Sequence, residues 1–188
     1  MPSEDKTIGA NLDFRTIDLP NHLDTALKFR ADSYRTSFGN IDLFDSEFYA
    51  GWLKQRIEQF PEGHVHIWVD GEIVGQIEAR PHHSGQENLS SAKSSTDLRL
   101  PKQDREGYIN LYYLAPQWRG KGIAGRLDAY AKTYLLSHGC ISARLSVSKT
   151  NIRALAFYAK YGWRAAGERP DQPDMQWMTK DFSPAQMK

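Results

Sequence analysis

Hydrophobic residues in this chain change their spacing repeatedly, and the order of those changes constrains the fold more than any other feature. Apolar residues at every second position bury one face of a strand; recurrence every three or four positions buries one face of a helix. Residues 11–18 alternate weakly and read as a strand, which Leu19-Pro20-Asn21 punctuates. From Leu23 the spacing Leu23, Ala26, Leu27, Ala31, Tyr34 is helical, and Gly39-Asn40 ends it. Asp45 or Ser46 can cap a second helix carrying Phe48, Trp52, Leu53 and Ile57, closed by Pro61 and Gly63. HVHIWVD then alternates as a half-buried strand should, Asp70-Gly71 signals a hairpin, and IVGQIEAR supplies the returning strand. Residues 82–106 have no sustained period and read as a long exposed loop. YINLYYLA is the next strand. Ile123, Leu127, Tyr130, Ala131 and Tyr134 then mark a helix that His138-Gly139 ends. ISARLSVS alternates, Asn151 opens a helix that stops at Gly162, and residues 163–169 and 175–182 read as two final strands. The predicted order is β, two helices, three β, α, β, α, two β: a mixed α/β fold without an obvious linker, hence one domain over residues 1–188. Its ends, residues 1–10 and 183–188, are expected to be flexible.

Length and charge narrow the functional classes. A chain of 188 residues can bury a sizeable core as one domain. Its formal net charge of +1 gives no general pull toward nucleic acid or a membrane surface. No apolar run is long enough to span a bilayer, and the first residues lack the apolar core of a signal peptide, so a cytoplasmic protein is expected. With Cys140 as the sole cysteine, no intrachain disulfide is available and a cysteine-rich metal site is ruled out.

Chemistry first enters at APQWRGKGIAGRL, residues 115–127, where glycines and basic residues stand between a strand and a helix. A helix N-terminus exposes unpaired N–H groups and partial positive charge. Glycines let a phosphate approach those groups without a Cβ in the way. Arg119 and Lys121 add charge, so the stretch can cradle an anion, although a plain turn with solvated basic residues would look the same. It is not a P-loop, because the GxxxxGK[ST] spacing is absent. Gly120, Gly122 and Gly125 approach the dinucleotide-binding fingerprint, but no convincing ribose-binding acid follows a second parallel strand. Downstream, in NIRALAFYAKYGW, Asn151 suits an N-cap. Tyr158 lies seven residues on, about two turns, and so faces nearly the same way.

The two stretches together resemble the GNAT superfamily of N-acetyltransferases. Arg119, Gly122 and Ala124 match its [Q/R]-x-x-G-x-[G/A] loop, and Asn151, Ala154, Phe157, Tyr158, Gly162 and Trp163 match its N-x-x-A-x-x-F-Y-x-x-x-G-[F/W] helix. The likeness is strong over residues 107–167, while residues 1–61 match only in element order. It implies a GNAT-like fold: a central, mostly antiparallel sheet with one splayed parallel strand pair, flanked by about four helices. It implies acetyl-CoA as co-substrate and no metal. The pyrophosphate would sit on the amides of Arg119, Gly120, Lys121, Gly122, Ile123 and Ala124. The pantetheine arm would run along Tyr113, Leu114 and Ala115, with Asn151 bonding it. Tyr158 would lie at the thioester sulfur as general acid, and the Leu114 amide would steady the oxyanion. The activity so implied is transfer of an acetyl group to a primary amine by direct attack in a ternary complex. The alternative is a non-catalytic acyl-CoA-binding sensor on the same fold. Exposed sheet edges in such folds pair, so a homodimer is also an expectation.

The general base is less legible. Tyr108, Asn110 and Tyr112 share the strand face on which some family members carry a glutamate. Glu78 is the leading candidate and Glu106 the second, each set against a solvated surface charge or a chain of waters. On the acceptor side, the family's helix-joining region corresponds to YRTSFGNIDLFDSEFY. It offers Tyr34, Phe38, Asp42 and Glu47, with His82 from the later loop, for an amine on a small molecule or a protein. The competing reading makes its aromatics core and its acids helix caps. His64 and His66 share one strand face, but no third ligand lies at useful spacing, so a polar strand face is expected rather than a metal site.

Overall fold

The computed structural model describes residues 11–82 and 105–182. Residues 83–104 of the expected long loop, and the two expected flexible ends, lie outside these residues; the ends of that loop, His82, Arg105 and Glu106, belong instead to the strands on either side. The elements are β1 (Leu12–Thr16), α1 (Leu19–Phe38), α2 (Ser46–Gln59), β2 (His64–Val69), β3 (Glu72–His82), β4 (Arg105–Leu114), α3 (Ile123–Ser137), β5 (Cys140–Ser148), α4 (Ile152–Lys160), β6 (Arg164–Glu168) and β7 (Met175–Asp181). They follow the order that the hydrophobic periods predict. One seven-stranded sheet runs β1-β2-β3-β4-β5-β7-β6. Within it β4 and β5 are parallel, whereas the β1–β2, β2–β3, β5–β7 and β6–β7 pairs are antiparallel. The parallel register spans Arg105↔Cys140 to Ile109↔Leu145, and β4 continues beyond it to Leu114.

α1 begins four residues before the first residue of its helical spacing. Pro20 causes this difference: in the first turn its missing N–H costs nothing, so the residue that reads as punctuation is an entry. His22, at φ −131° and ψ 19°, interrupts the helical backbone just after. Gly39 ends α1 in the left-handed conformation at φ 80°, with its N–H donating to the Arg35 carbonyl at 2.9 Å. Asp45 caps α2 by accepting from the Phe48 N–H at 2.9 Å. The β2–β3 turn has Asp70 at φ 49° and Gly71 at φ 86°, the two positive angles of a tight hairpin turn.

Among the described residues, packing groups the chain into two compact units, residues 11–78 with 111–130, and residues 79–82 and 105–110 with 131–182. In the first, Ile17, Ala26, Tyr49 and Leu53 form one buried cluster, and Phe29, Leu111, Tyr113 and Ala115 another. β2 is not half-buried as its alternation suggests. His64 and His66 are as enclosed as Val65 and Ile67, because both faces of the strand are covered. In the second unit β5 alternates cleanly: Ala143, Leu145 and Val147 are buried, and Ser142, Arg144 and Ser146 are half-buried. Gly107 supplies the close approach there, since a Cβ on it would stand 2.5 Å from Leu135 Cδ1.

Candidate active site

The glycine loop leaves β4 through a short 3-10 turn, Pro116–Trp118, and ends where α3 begins at Ile123. Gly120 and Gly122 have φ of 76° and 80°, a region that side chains with a Cβ rarely adopt. Nothing lies within 4 Å of a Cβ built on either, so conformation rather than crowding demands glycine here. Such left-handed turns aim successive backbone N–H groups into a concavity. The two basic side chains that add charge to the loop are each held by a neighbouring group. Arg119 Nε donates to the Leu114 carbonyl at 2.8 Å, and Lys121 Nζ lies 4.6 Å from the Trp118 ring centroid. What the loop offers an anion is therefore its amides and the start of α3, with the cations braced on neighbouring groups.

On the adjoining strand end, the Ala115 N–H donates to the Val74 carbonyl at 2.9 Å and is committed to β3. Backbone N–H groups alternate along a strand, so the Leu114 N–H points to the opposite edge. Tyr113 directs its hydroxyl to Asp32 Oδ2 at 2.9 Å; burial and that carboxylate hold it neutral.

In the second unit, Asn151 caps α4 through its Oδ1, which accepts from the Ala154 N–H at 3.1 Å. The cap fixes the first turn and with it the direction of Tyr158, two turns on. Tyr158 is only 8 % exposed and meets Phe157 and Trp163 edge-on. The Trp163 N–H donates to the Tyr158 carbonyl at 2.9 Å and closes the helix under it.

Glu78 is not a surface charge. It is 0 % exposed, and its Oε1 accepts from the Tyr49 hydroxyl at 2.6 Å and from Gln76 Nε2 at 2.8 Å. Its Oε2 lies 3.5 Å from Arg30 NH1. Gln76 Nε2 also reaches the Tyr49 hydroxyl at 2.8 Å, and Gln76 Oε1 stands 3.1 Å from His66 Nε2. Since Gln76 uses its amide nitrogen on Tyr49 and Glu78, its oxygen must accept, so His66 donates from Nε2. Burial pushes the His66 imidazole down to about 4, against the lift from Gln76, so it is neutral at physiological pH. Burial and the Glu78 charge push the Tyr49 phenol far up. Burial acts most strongly against the Arg30 charge, but Glu78, Tyr49 and Tyr34 together outweigh it and raise the guanidinium. Glu106 is half-buried, with Oε2 3.1 Å from Arg144 Nε.

The helix-joining segment divides. Asp45 is a cap, and Tyr34, Phe38, Phe44 and Tyr49 form a chain of ring contacts at 5.4–5.8 Å. Asp42 and Glu47 are exposed, beside Leu43 at 72 % and Phe48 at 66 %. His82 ends β3, and its side chain lies outside the described residues. No group of three or more metal-ligating side chains occurs among the described residues, and no described helix is long and apolar enough to cross a membrane.

The sequence reading missed Arg30, Tyr49 and Gln76. A signal for them was present. β2 and β3 pair His64 with Glu78 and His66 with Gln76, so four polar residues face one way within an otherwise apolar hairpin. Polar groups so placed must find partners once buried.

Comparison with known proteins identifies the family. The model of the acetyltransferase (GNAT) family matches residues 27–163, well over half the chain. An uncharacterized N-acetyltransferase of Archaeoglobus fulgidus is 27 % identical over 144 residues, covering 76 % of this chain and 86 % of that protein. The PaiA N-acetyltransferase of Thermoplasma acidophilum, solved with coenzyme A, is similar in fold at a TM-score of 0.60. Its identity is 16 %, over 92 % of this chain and 99 % of the other. The yncA protein of Salmonella typhimurium, solved with acetyl-CoA, matches at a TM-score of 0.63 and 13 % identity, over 93 % and 95 % of the two chains.

Proposed function

Because the chain belongs to the GNAT acetyltransferase family and is therefore an acetyl-CoA-dependent acyltransferase, we propose that it passes the acetyl group directly to a primary amine in a ternary complex. The observation that carries this reading is the loop after β4. Two left-handed glycines open the backbone at the start of α3, and the family's second motif forms a capped helix bearing Tyr158.

Acetyl-CoA supplies an activated acyl carbon, and the protein supplies placement and charge. The amides of Arg119 to Ala124 hold the pyrophosphate. The strand end at Tyr113 and Leu114 takes the pantetheine arm. Ala115 contributes through its position, its N–H being spent on Val74. Asn151 orients the arm with the part of its amide that the cap leaves over. The Leu114 N–H steadies negative charge that grows on the carbonyl oxygen. As the C–N bond forms and the C–S bond breaks, the Tyr158 hydroxyl gives its proton to the departing sulfur. Holding both reactants in line supplies much of the acceleration. The amine must shed a proton first, since an alkyl ammonium titrates near 10.4. Glu78 is too enclosed to touch it. Its proposed part is to hold Tyr49 and Arg30 in place, while the proton leaves through water. The exposed Asp42 and Glu47, with Tyr34 and Phe38, form the lip that meets the acceptor.

Coenzyme A release, followed with a thiol reagent across a panel of amines, tests the reading. Release should require an amine, and Tyr158→Phe should lower kcat by roughly 10²-fold with little change in acetyl-CoA affinity. Release that ignores the amine, or a variant with unchanged kcat when chemistry limits the rate, would refute it.

A further inference from the structure

Exposed apolar side chains in this protein are gathered rather than scattered. Among the described residues seven large ones are exposed, and four of them, Phe38, Ile41, Leu43 and Phe48, fall within residues 38–48, from the end of α1 to the first turn of α2. Leu43 is 72 % and Phe48 66 % exposed. Single exposed apolar residues are ordinary, whereas a group of them marks a surface that another molecule covers.

Local structure keeps the four together. The Phe44 N–H donates to the Ile41 carbonyl at 2.9 Å, closing a turn with Asp42 and Leu43 at its tip. Asp42 suits such a position, but an apolar Leu43 gains nothing there from the backbone. Phe44 is the half-buried anchor of the turn, its ring 5.4 Å from Tyr34 and 5.8 Å from Tyr49. Tyr34 also holds the Phe38 ring at 5.5 Å. The Asp45 cap accepts from the Phe48 N–H and fixes that residue at the start of α2. The surface is therefore set before any partner arrives, which lowers the entropy lost on binding.

Charge selects the occupant. Between Arg35 and Lys54 the chain has no lysine, arginine or histidine, and it has Asp42, Asp45 and Glu47. Asp45 is engaged as the cap, at the positive end of α2. Asp42 and Glu47 are exposed, and neither side chain has a hydrogen bond or ion pair among the described residues. A phosphate-bearing surface, of a membrane or a nucleic acid, is repelled by such a rim, and a second copy would set like charge against like. A small amine meets the carboxylates but cannot cover side chains spread from Ile41 to Phe48. A polypeptide segment bearing both apolar and cationic side chains satisfies the two requirements together.

The geometry points to residues 38–48 as a docking surface for a cationic polypeptide segment, whose apolar side chains lie on Ile41, Leu43 and Phe48 and whose lysines or arginines meet Asp42 and Glu47. The docking stands apart from the acetyl-transfer reading. Because Asp42 and Glu47 also belong to the proposed acceptor lip, the two together make the acceptor an amine carried on a protein, and that step rests on the reading above.

Fluorescence anisotropy without acetyl-CoA reads the docking directly. The probe is a short dye-labelled peptide of lysine, leucine and glycine; matched peptides carry glutamate for lysine or serine for leucine. The first should bind saturably, at least about tenfold more tightly than either control, and less tightly as salt rises. Leu43→Ser with Phe48→Ser should weaken it at least about tenfold while the melt stays cooperative, since both side chains are exposed. Asp42→Asn with Glu47→Gln should weaken it at least about threefold and flatten its salt dependence. Leu136→Ser, at an exposed apolar residue outside the segment, should bind as wild type does. Equal binding of the lysine and glutamate peptides, wild-type binding after the Leu43 and Phe48 changes, or an equal loss in Leu136→Ser would overturn the surface. Tighter binding to phosphatidylserine vesicles, or self-association in ultracentrifugation that the Leu43 and Phe48 changes abolish, would give it to a membrane or a second copy and overturn it likewise. Coenzyme A release separates the two readings. Peptide binding that depends on the surface, with no release to the peptide or to butylamine, removes acetyl transfer alone. Release to butylamine, with the lysine peptide bound no better than its controls, removes the docking alone. With both intact, the Leu43 and Phe48 changes should raise KM for the lysine peptide and leave KM for butylamine and for acetyl-CoA alone.

Discussion

At the scale of single residues, the loop glycines and Glu78 show how differently position can constrain side chains. Gly122 has open space around it and a φ of 80°, so a β-branched residue there is opposed by the backbone and not by neighbours. Gly122→Val should reshape the loop and lower acetyl-CoA affinity at least about tenfold, or roughly 1.4 kcal/mol. Its thermal midpoint should fall modestly, by the strain of about 1–3 kcal/mol that a left-handed side chain carries, while the melt stays cooperative because no packed core is disturbed. Calorimetry giving an unchanged Kd would remove the loop from the cofactor site. Glu78 is the opposite case, a carboxylate enclosed by Tyr49, Gln76 and Arg30. Glu78→Gln keeps an acceptor for Tyr49 but leaves Arg30 without its counter-charge. Breaking an enclosed pair from one side costs about 3 kcal/mol. Urea unfolding should show that loss, while the acid limb of the kcat/KM pH profile keeps its position in the variant that remains folded. Disappearance of that limb would make Glu78 the proton acceptor after all.

At the scale of elements, the sequence was legible wherever a local rule acts alone. The Asp70-Gly71 turn, the Asp45 and Asn151 caps and the Gly39 stop were readable because each satisfies a backbone requirement within a few residues. Pro20 reads only as punctuation after the first strand, because a proline that ends a strand and one that opens a helix look alike in sequence. The Glu78 network was not visible either. It depends on which residues face one another across strands, and periodicity gives a face without giving a partner. Likewise the Arg119 side chain could not be placed from spacing, since its bond to the Leu114 carbonyl depends on the turn between them. Two glycines within strands test the same point. A Cβ on Gly75 would stand 2.3 Å from the Tyr113 carbonyl oxygen, which is backbone and cannot yield without disturbing the strand. On Gly107 it would stand 2.5 Å from a leucine methyl, which can rotate. Gly107→Ala should cost about 1–3 kcal/mol, as overpacking does, and Gly75→Ala more. Denaturant midpoints in the reverse order would show that β3 and β4 have slack that the backbone contact denies.

At the scale of the whole molecule, the two compact units are not separated by linkers. The chain passes between them within β3 at residues 78 and 79, within β4 at 110 and 111, and within α3 at 130 and 131. Independent domains join through exposed segments that few contacts cross. Here every crossing lies inside a hydrogen-bonded element, so neither unit can melt without fraying a strand or helix that also belongs to the other. Unfolding should therefore be one cooperative event. Far-ultraviolet circular dichroism reports all the helices. Tryptophan fluorescence reports Trp52, Trp68 and Trp118 in one unit and Trp163 and Trp177 in the other. Their urea transitions should coincide, and the calorimetric and van't Hoff enthalpies should agree, as two-state behaviour requires. Replacing Trp163 and Trp177 with Phe restricts the fluorescence to the first unit. Because the crossings are internal to elements, that midpoint should still match the dichroism of the same variant. Separated midpoints, or a limited-proteolysis fragment that keeps a cooperative melt, would show that the units are domains and that the elements shared between them yield first.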